Sequence, residues 1–333
     1  MNRLLTILFA LFVAYGARAE IYELPPAGYD VIGAISTINA REEDTLVDIA
    51  RRHGLGYQDI VRANPDVNVW VPGEGTEVVL PAQYVLPPGP RKGVVLNLAE
   101  YRLYYFPEVK DGETAYVMTY PISIGRMDWE TPLGKTTVIS KVRNPSWYVP
   151  QSVLDEHAAD GDPLPRIVPP GPDNPLGKYA MRLGLPGYLI HGTNRPAGVG
   201  MRVTHGCVRM FPEDIEYLFA KIDLKTPVRI INEPVKMGWA GDDLVMEVHP
   251  VLDVAMPQTE ESVAEESDSE QAAEVTEAKD PLTYVTEQFI ATTEERAGQL
   301  DWGLAEQLVE RSDGIPVTVG EGIKNAAASA AFE

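Results

Sequence analysis

Leu189-Ile190-His191-Gly192-Thr193 and Thr204-His205-Gly206-Cys207-Val208-Arg209 are two short stretches in which an extended, apolar-led run meets a glycine. In an extended chain, residues two apart share one face, so His205 and Cys207 project together, as do Cys207 and Arg209. A thiol becomes a nucleophile when a base or a positive field favours the thiolate. His191 and His205 are the candidate bases. Gly206 admits a ligand close to the backbone and frees neighbouring amides to hold an oxyanion. From Lys178 to Met210 the chain carries Lys178, Arg182, Arg195, Arg202 and Arg209 and no Asp or Glu. Such a field is expected to lower the Cys207 pKa, to make the thiol prone to sulfenic acid formation, and to attract carboxylates. His191, His205 and Cys207 could also be read as zinc ligands, but a fourth ligand is not evident and no acid lies nearby to supply one. No metal or cofactor is expected.

The segments around these stretches read as strands. Val94–Leu98, Arg102–Phe106, Tyr116–Ile122, Thr137–Ile139, Tyr188–Ile190 and Val228–Ile231 are short, β-branched or aromatic, and separated by turn residues, which predicts a mainly β domain over 93–232. One clear helix interrupts it, Pro212–Ile222, with proline first and Glu213 and Asp214 in the opening turn. Upstream, Asp44 suits an N-cap, Leu46, Ile49 and Ala50 share a helical face, and Gly54 suits a stop. A second helix over Tyr57–Ala63, ended by Asn64-Pro65, and a strand over Glu77–Pro81 complete a small βααβ unit across 36–82, opened by Ile35–Ile38. Pro87-Pro88-Gly89-Pro90 predicts a stiff linker.

The ends differ from the middle. Arg3, the apolar run Leu4–Tyr15 and Ala17-Arg18-Ala19 read as an export signal over 1–19, too short to span a bilayer as a helix. The mature chain is therefore expected in the periplasm, without a membrane span. The formal charge is −21, and residues 251–333 alone contribute −15. That balance argues against nucleic acid and anionic lipid as partners. The tail, 251–333, is expected to be largely disordered, with some helical potential over 282–311. A single cysteine in an exported chain cannot form an internal disulfide.

Residues 93–232 resemble the YkuD-type L,D-transpeptidase catalytic domain. The resemblance is carried by His191-Gly192 and Thr204-His205-Gly206-Cys207 with Arg209, and extends to Trp129-Glu130-Thr131-Pro132-Leu133-Gly134, Gly171–Gly177 and Pro212-Glu213-Asp214-Ile215. Residues 36–82 resemble the LysM module, through Asp44-Thr45-Leu46, Ile49-Ala50, Ile60, Asn64-Pro65 and Val79-Leu80-Pro81. The order of parts is similar to the enterobacterial-type subgroup that attaches the outer-membrane (Braun) lipoprotein to peptidoglycan or makes 3→3 cross-links. The resemblance implies a YkuD-like β-sandwich and a cysteine acyltransferase acting on peptidoglycan stem peptides, with LysM binding to the glycan. It implies Cys207 as nucleophile, His191 as base oriented by the Gly192 carbonyl, and Gly206 and His205 shaping the site. Thr193, Arg202, Thr204 and Arg209 are the expected substrate contacts. A hydrolase using water as acceptor shares every one of these residues. A papain-like NlpC/P60 peptidase would place its cysteine before its histidine, and a non-enzymatic wall-binding protein would not need the His/Cys stretch.

Overall fold

The computed structural model describes residues 20–126, 129–252 and 279–323. The export-signal reading over 1–19 and the disorder expected over most of Glu260–Asp280 fall outside them.

Strand β1 (Glu20–Glu23) joins the central sheet. The βααβ unit follows: β2 (Val31–Asn39), α1 (Leu46–Arg52), α2 (Tyr57–Ala63) and β3 (Glu77–Val85), with β2 antiparallel to β3. Leu46, Ile49 and Ala50 of α1 and Ile60 of α2 are buried against Val78 and Leu80. The N-cap of α1 is Thr45 rather than Asp44: Thr45 and Asp48 form a reciprocal capping box, while Asp44 is buried and ion-paired with Arg52 at 2.6 Å. Asn64 ends α2 and ties it to β3, donating to the Ile60 and Val79 carbonyls and accepting from the Val79 amide.

The central domain is mainly β, as the strand pattern predicts. It comprises β4 (Gly93–Asn97), β5 (Arg102–Phe106), β6 (Tyr116–Pro121), β7 (Ile124–Gly125), β8 (Gly134–Arg143), β9 (Trp147–Tyr148), α3 (Gln151–Ala159), β10 (Ile167–Val168), β11 (Tyr179–Leu183), β12 (Leu189–His191), β13 (Arg202–Thr204), β14 (Val208–Arg209), α4 (Pro212–Lys221) and β15 (Pro227–Ile231). One curled nine-stranded sheet runs β1-β6-β5-β4-β15-β8-β11-β12-β14. It closes around Leu96, Leu103, Met118, Met181, Ile190, Val208 and Ile230, with Ile215 and Leu218 of α4 sealing the core. The parallel pair β12–β14 at one end of the sheet carries both stretches quoted at the outset.

The C-terminal expectation needs correction. Residues 281–322 fold as α5 (Pro281–Thr293), β18 (Gly298–Leu300), α6 (Trp302–Arg311) and β19 (Val317–Gly322) upon the hairpin β16 (Val235–Ala240) and β17 (Asp243–Val248), in sheet order β16-β17-β19-β18. Val285, Leu300, Ala305, Leu308 and Val319 bury themselves against Trp239, Leu244 and Met246. The acids of this region lie between the inward positions, so average composition conceals an amphipathic pattern. Among the described residues no helix is long and apolar enough to cross a membrane.

The three parts are docked. Arg51 of α1 makes a two-pronged ion pair with Glu213 of α4, at 2.7 and 2.9 Å. The α2 amides of Tyr57 and Gln58 donate to the Val199 and Gly200 carbonyls, 2.9 and 3.3 Å away. Gly200 has φ +88°, and a Cβ there would lie 2.3 Å from the Tyr57 nitrogen, so only glycine permits this approach. The expected linker is also held: the Arg229 guanidinium donates to the Pro88 carbonyl at 2.9 Å.

Beneath this junction Asp214 is buried, and its pKa is pushed up to about 8, first by desolvation and then by the Glu213 charge, against the pull of Arg102 and Arg51. An acid whose folded pKa is raised gives stability that is full at low pH and lost as pH climbs from its ordinary value of 3.8 to about 8. Asp214→Asn is therefore expected to raise the melting temperature at pH 8 and leave it nearly unchanged at pH 4. Each tenfold change in the carboxyl's proton affinity on folding corresponds to ~1.4 kcal/mol. An equal change in melting temperature at both pH values would show that Asp214 does not titrate in this window.

Candidate active site

Strand β12 pairs in parallel with β14 so that Ile190 faces Val208 and His191 faces Arg209. Ile190 and Val208 point into the core. The alternation of a strand then puts His191, Cys207 and Arg209 on the opposite face together. Strand β14 is held on its other side by Ser123, whose amide and carbonyl bond those of Arg209 at 2.8 and 3.0 Å.

His191 is 4% exposed, and its Nδ1 lies 2.6 Å from the Gly192 carbonyl oxygen. A carbonyl can only accept, so Nδ1 carries the proton and Nε2 is left as the basic nitrogen. Burial, reinforced by the Arg209 charge, pulls the His191 pKa down to about 3, so the ring is neutral throughout the physiological range. Cys207 is half-buried, with Sγ 3.6 Å from the Gly187 carbonyl. Burial pushes its thiol up, outweighing the Leu189 amide and the Arg209 charge, which pull it down. The expectation of a depressed pKa is thus overturned. A count of cations along the sequence does not register how far the thiol is withdrawn from water. At rest the pair is a neutral thiol beside a neutral imidazole.

Alkylation of Cys207 by iodoacetamide should therefore rise about tenfold per pH unit from pH 6 to 9, following the thiolate fraction. The same absence of resting thiolate predicts slow sulfenic acid formation at neutral pH. A rate plateau below pH 7 would indicate a thiolate already formed and contradict this picture.

The turn before Cys207 is held rigidly. Gly206 has φ +90°, and a Cβ there would lie 2.9 Å from the Tyr188 ring. Thr131 Oγ1 donates to the Gly206 carbonyl at 2.8 Å and accepts from the Gly125 amide at 3.1 Å. Thr204 Oγ1 donates to the Cys207 carbonyl at 2.6 Å, and Thr193 Oγ1 accepts from the Arg195 amide at 2.9 Å. Both threonines are buried. Their hydroxyl oxygens help to hold the loops that frame Cys207. Arg202 is tied down as well, Nε donating to the Gly125 carbonyl at 3.0 Å with Glu130 3.9 Å away. Arg209 differs. Its Nε is buried without a hydrogen bond, and among the described residues no carboxylate pairs with its guanidinium. It lies on the Cys207 side of the sheet.

His205 turns away from Cys207, its Nε2 2.8 Å from Glu156 on α3 and its ring edge-on to Trp129 at a centroid distance of 5.1 Å. Arg126 reaches the same carboxylate at 2.6 Å. Sequence reading missed Arg126 and Glu156, which are distant in the chain from the motif, and Tyr188 and Thr131, whose roles are contacts that no spacing announces. The zinc reading is not supported by this arrangement: His191 is turned to Gly192, His205 to Glu156. Among the described residues the one cluster with metal-like geometry is Glu100, Glu247 and His249, where the Lys236 ammonium already lies 2.8 Å from Glu100 and 2.9 Å from Glu247.

A nine-stranded curled sheet presenting a cysteine and a pinned histidine on adjacent strands agrees with the sequence comparisons. The L,D-transpeptidase catalytic domain family (YkuD) matches residues 91–230, and the LysM domain family matches residues 40–72. The chain belongs to the L,D-transpeptidase family. It is 36% identical over 318 residues to "probable L,D-transpeptidase ErfK/SrfK" of Salmonella typhimurium, covering 94% of this chain and 96% of that protein. It is 40% identical over 254 residues to "probable L,D-transpeptidase YcfS" of Escherichia coli, covering 74% and 78% respectively. The solved L,D-transpeptidase 3 of Mycobacterium tuberculosis is similar over 46% of this chain and 66% of that one, at 23% identity and a TM-score of 0.30.

Proposed function

We propose that the protein is a periplasmic acyltransferase of peptidoglycan in which Cys207 forms a thioester with the diaminopimelate of a tetrapeptide stem and passes it to an amine. The observation that carries this reading is the neutral, buried His191, whose Nδ1–H is fixed on the Gly192 carbonyl and whose Nε2 is left unprotonated, able to accept a proton, on the face it shares with Cys207. Nε2 takes the thiol proton as Sγ attacks the diaminopimelate carbonyl. The amides near Gly206 and Cys207 hold the oxyanion. The C–N bond to D-Ala then breaks, and the proton held on His191 leaves with the D-Ala amine. In the second half an amine attacks the thioester carbonyl, its proton moves to His191, and Cys207 departs with that proton restored. The amine is a second diaminopimelate, giving a 3→3 cross-link, or a lipoprotein's terminal lysine. Gly192 orients the base, as a third group does in other thiol enzymes.

Arg209 supports a substrate with carboxylates, since it is a half-buried cation that pairs with no carboxylate among the described residues. The LysM module, bound to the loop that leads into β13, brings the glycan to the same molecule. Residues 1–19 act as the export signal.

Purified residues 20–333 mixed with disaccharide-tetrapeptide and followed by mass spectrometry test the proposal. The expected result is an acyl adduct on Cys207 followed by dimeric 3→3 muropeptides, or transfer to an added peptide ending in lysine. An adduct that decays only to free tripeptide would make the protein a hydrolase, and no adduct would remove the catalytic reading.

A further inference from the structure

The stretch from Lys178 to Met210 contains no acid, yet one carboxylate reaches into it from elsewhere. Glu156 Oε1 accepts from Arg126 Nη2 at 2.6 Å, and its Oε2 lies 2.8 Å from His205 Nε2. A carboxylate only accepts, so His205 Nε2 carries a proton toward it. Arg126 Nη2 and His205 Nε2 are themselves 3.4 Å apart. Two donors that close need an anion between them, and the pair is in effect an anion clamp two residues from the nucleophile. Glu156 is weakly anchored in it. Its helix α3 follows an N-cap proline, Pro150, that supplies no side-chain cap, and buries only Val153. The three partners are each about one-third exposed, and polar pairs at that exposure hold little.

We infer that Arg126 and His205 form a carboxylate subsite, which Glu156 fills in the free protein and a carboxylate of the stem peptide takes over on binding. The inference rests on the stem-peptide reading above and specifies which side chains recognise that acid. Hydrogen bonds from Arg126 and then from His205 also hold the Glu156 carboxyl below the usual carboxylate range, as they would any carboxylate placed there. Arg209, on the Cys207 face of β14, is a second cation for a second acidic group. Helix α3 then acts as a cover whose own acid competes with the ligand for the clamp.

Calorimetry with the full mature chain carrying Cys207→Ala separates binding from turnover. The ligands are the free tetrapeptide and its analogue with the D-Glu and diaminopimelate carboxyls converted to amides. The free acid should bind more tightly than the amide. Glu156→Gln should tighten the free acid about fivefold, by removing an internal competitor, and leave the amide unchanged. Arg126→Ala should weaken the free acid about tenfold and reduce the preference to what Arg209 and His205 still supply. If Glu156→Gln weakens both ligands alike, Glu156 is a strut and the inference falls while the functional reading stands. Equal binding of acid and amide by the parent also overturns it. If neither peptide binds, the functional reading fails and takes the subsite with it.

Discussion

Cys207→Ala is expected to reduce transpeptidation by about 10⁴-fold or more while leaving the melting temperature nearly unchanged, since the sulfur makes only weak contacts, with the Gly187 carbonyl and the Leu189 amide. His191→Ala should cost nearly as much. The double variant should be scarcely worse than either alone, because a nucleophile and its base act as one unit. The contrast matters here because the resting structure holds no ion pair: His191 stays neutral and the Cys207 thiol is pushed upward, so the proton must move during the reaction. With the His191 pKa at about 3, the acid limb of kcat/KM should not appear between pH 5 and 7. Steady-state rates with disaccharide-tetrapeptide check all three variants. Additive losses, each of a few-fold, would mean that the two side chains do not act together.

Lys236→Met should be the most destabilising single change. The Lys236 side chain is fully buried, 2.8 Å from Glu100 and 2.9 Å from Glu247, and donates to the Val85 carbonyl at 2.7 Å. Tyr104 bonds both Glu100 and Lys236, and His249 approaches Glu247 at 2.7 Å. Removing the ammonium strands two carboxylates out of water, at about 3–5 kcal/mol. The pH dependence gives the sign. In the wild type Glu247 is held low, because Lys236 and His249 outweigh its desolvation, so its contribution is present above the unfolded carboxylate pKa and is lost as pH falls through the folded one. In the variant that stabilising charge is gone, and only His249 and the Val85 amide are left to oppose the desolvation of Glu247. Wild type and variant should therefore differ most at pH 7 and converge in acid. Urea denaturation at pH 7 and pH 4 checks this. A loss of the same size at both would mean that packing, not charge, is what Lys236 supplies.

The sequence disclosed those features that depend on local order. The extended run at Tyr188–Ile190 and the need for a glycine at 206 could be read from residue order, whereas the pairing of Leu189–His191 with Val208–Arg209 emerges only in the fold. Helix α1 was legible apart from its cap, which fell on Thr45 because Asp44 finds Arg52 instead. What escaped was set by distance or by depth. Arg126 and Glu156 meet His205 only because the chain loops back through α3. The Cys207 pKa follows burial, which no count of neighbouring cations contains. The fold of 281–322 was masked by acids interleaved with Val285, Leu300, Leu308 and Val319. Lys236 gave no sign of its role either, since a lone lysine in a strand reads as a surface residue until its partners from Glu100 and Glu247 are in place.

That same buried junction decides how this protein can be cut for laboratory use. Asp59 comes from the N-terminal module, Glu100 and Arg102 from the central sheet, Lys236 and Glu247 from the C-terminal hairpin, and Arg102 lies 2.6 Å from Asp59. Trimming to the matched segment 91–230 would delete Asp59, Lys236 and Glu247 and leave Arg102 and Glu100 without those partners. The smallest reagent worth expressing is residues 20–323, and swapping in a foreign wall-binding module would mean redesigning three seams at once.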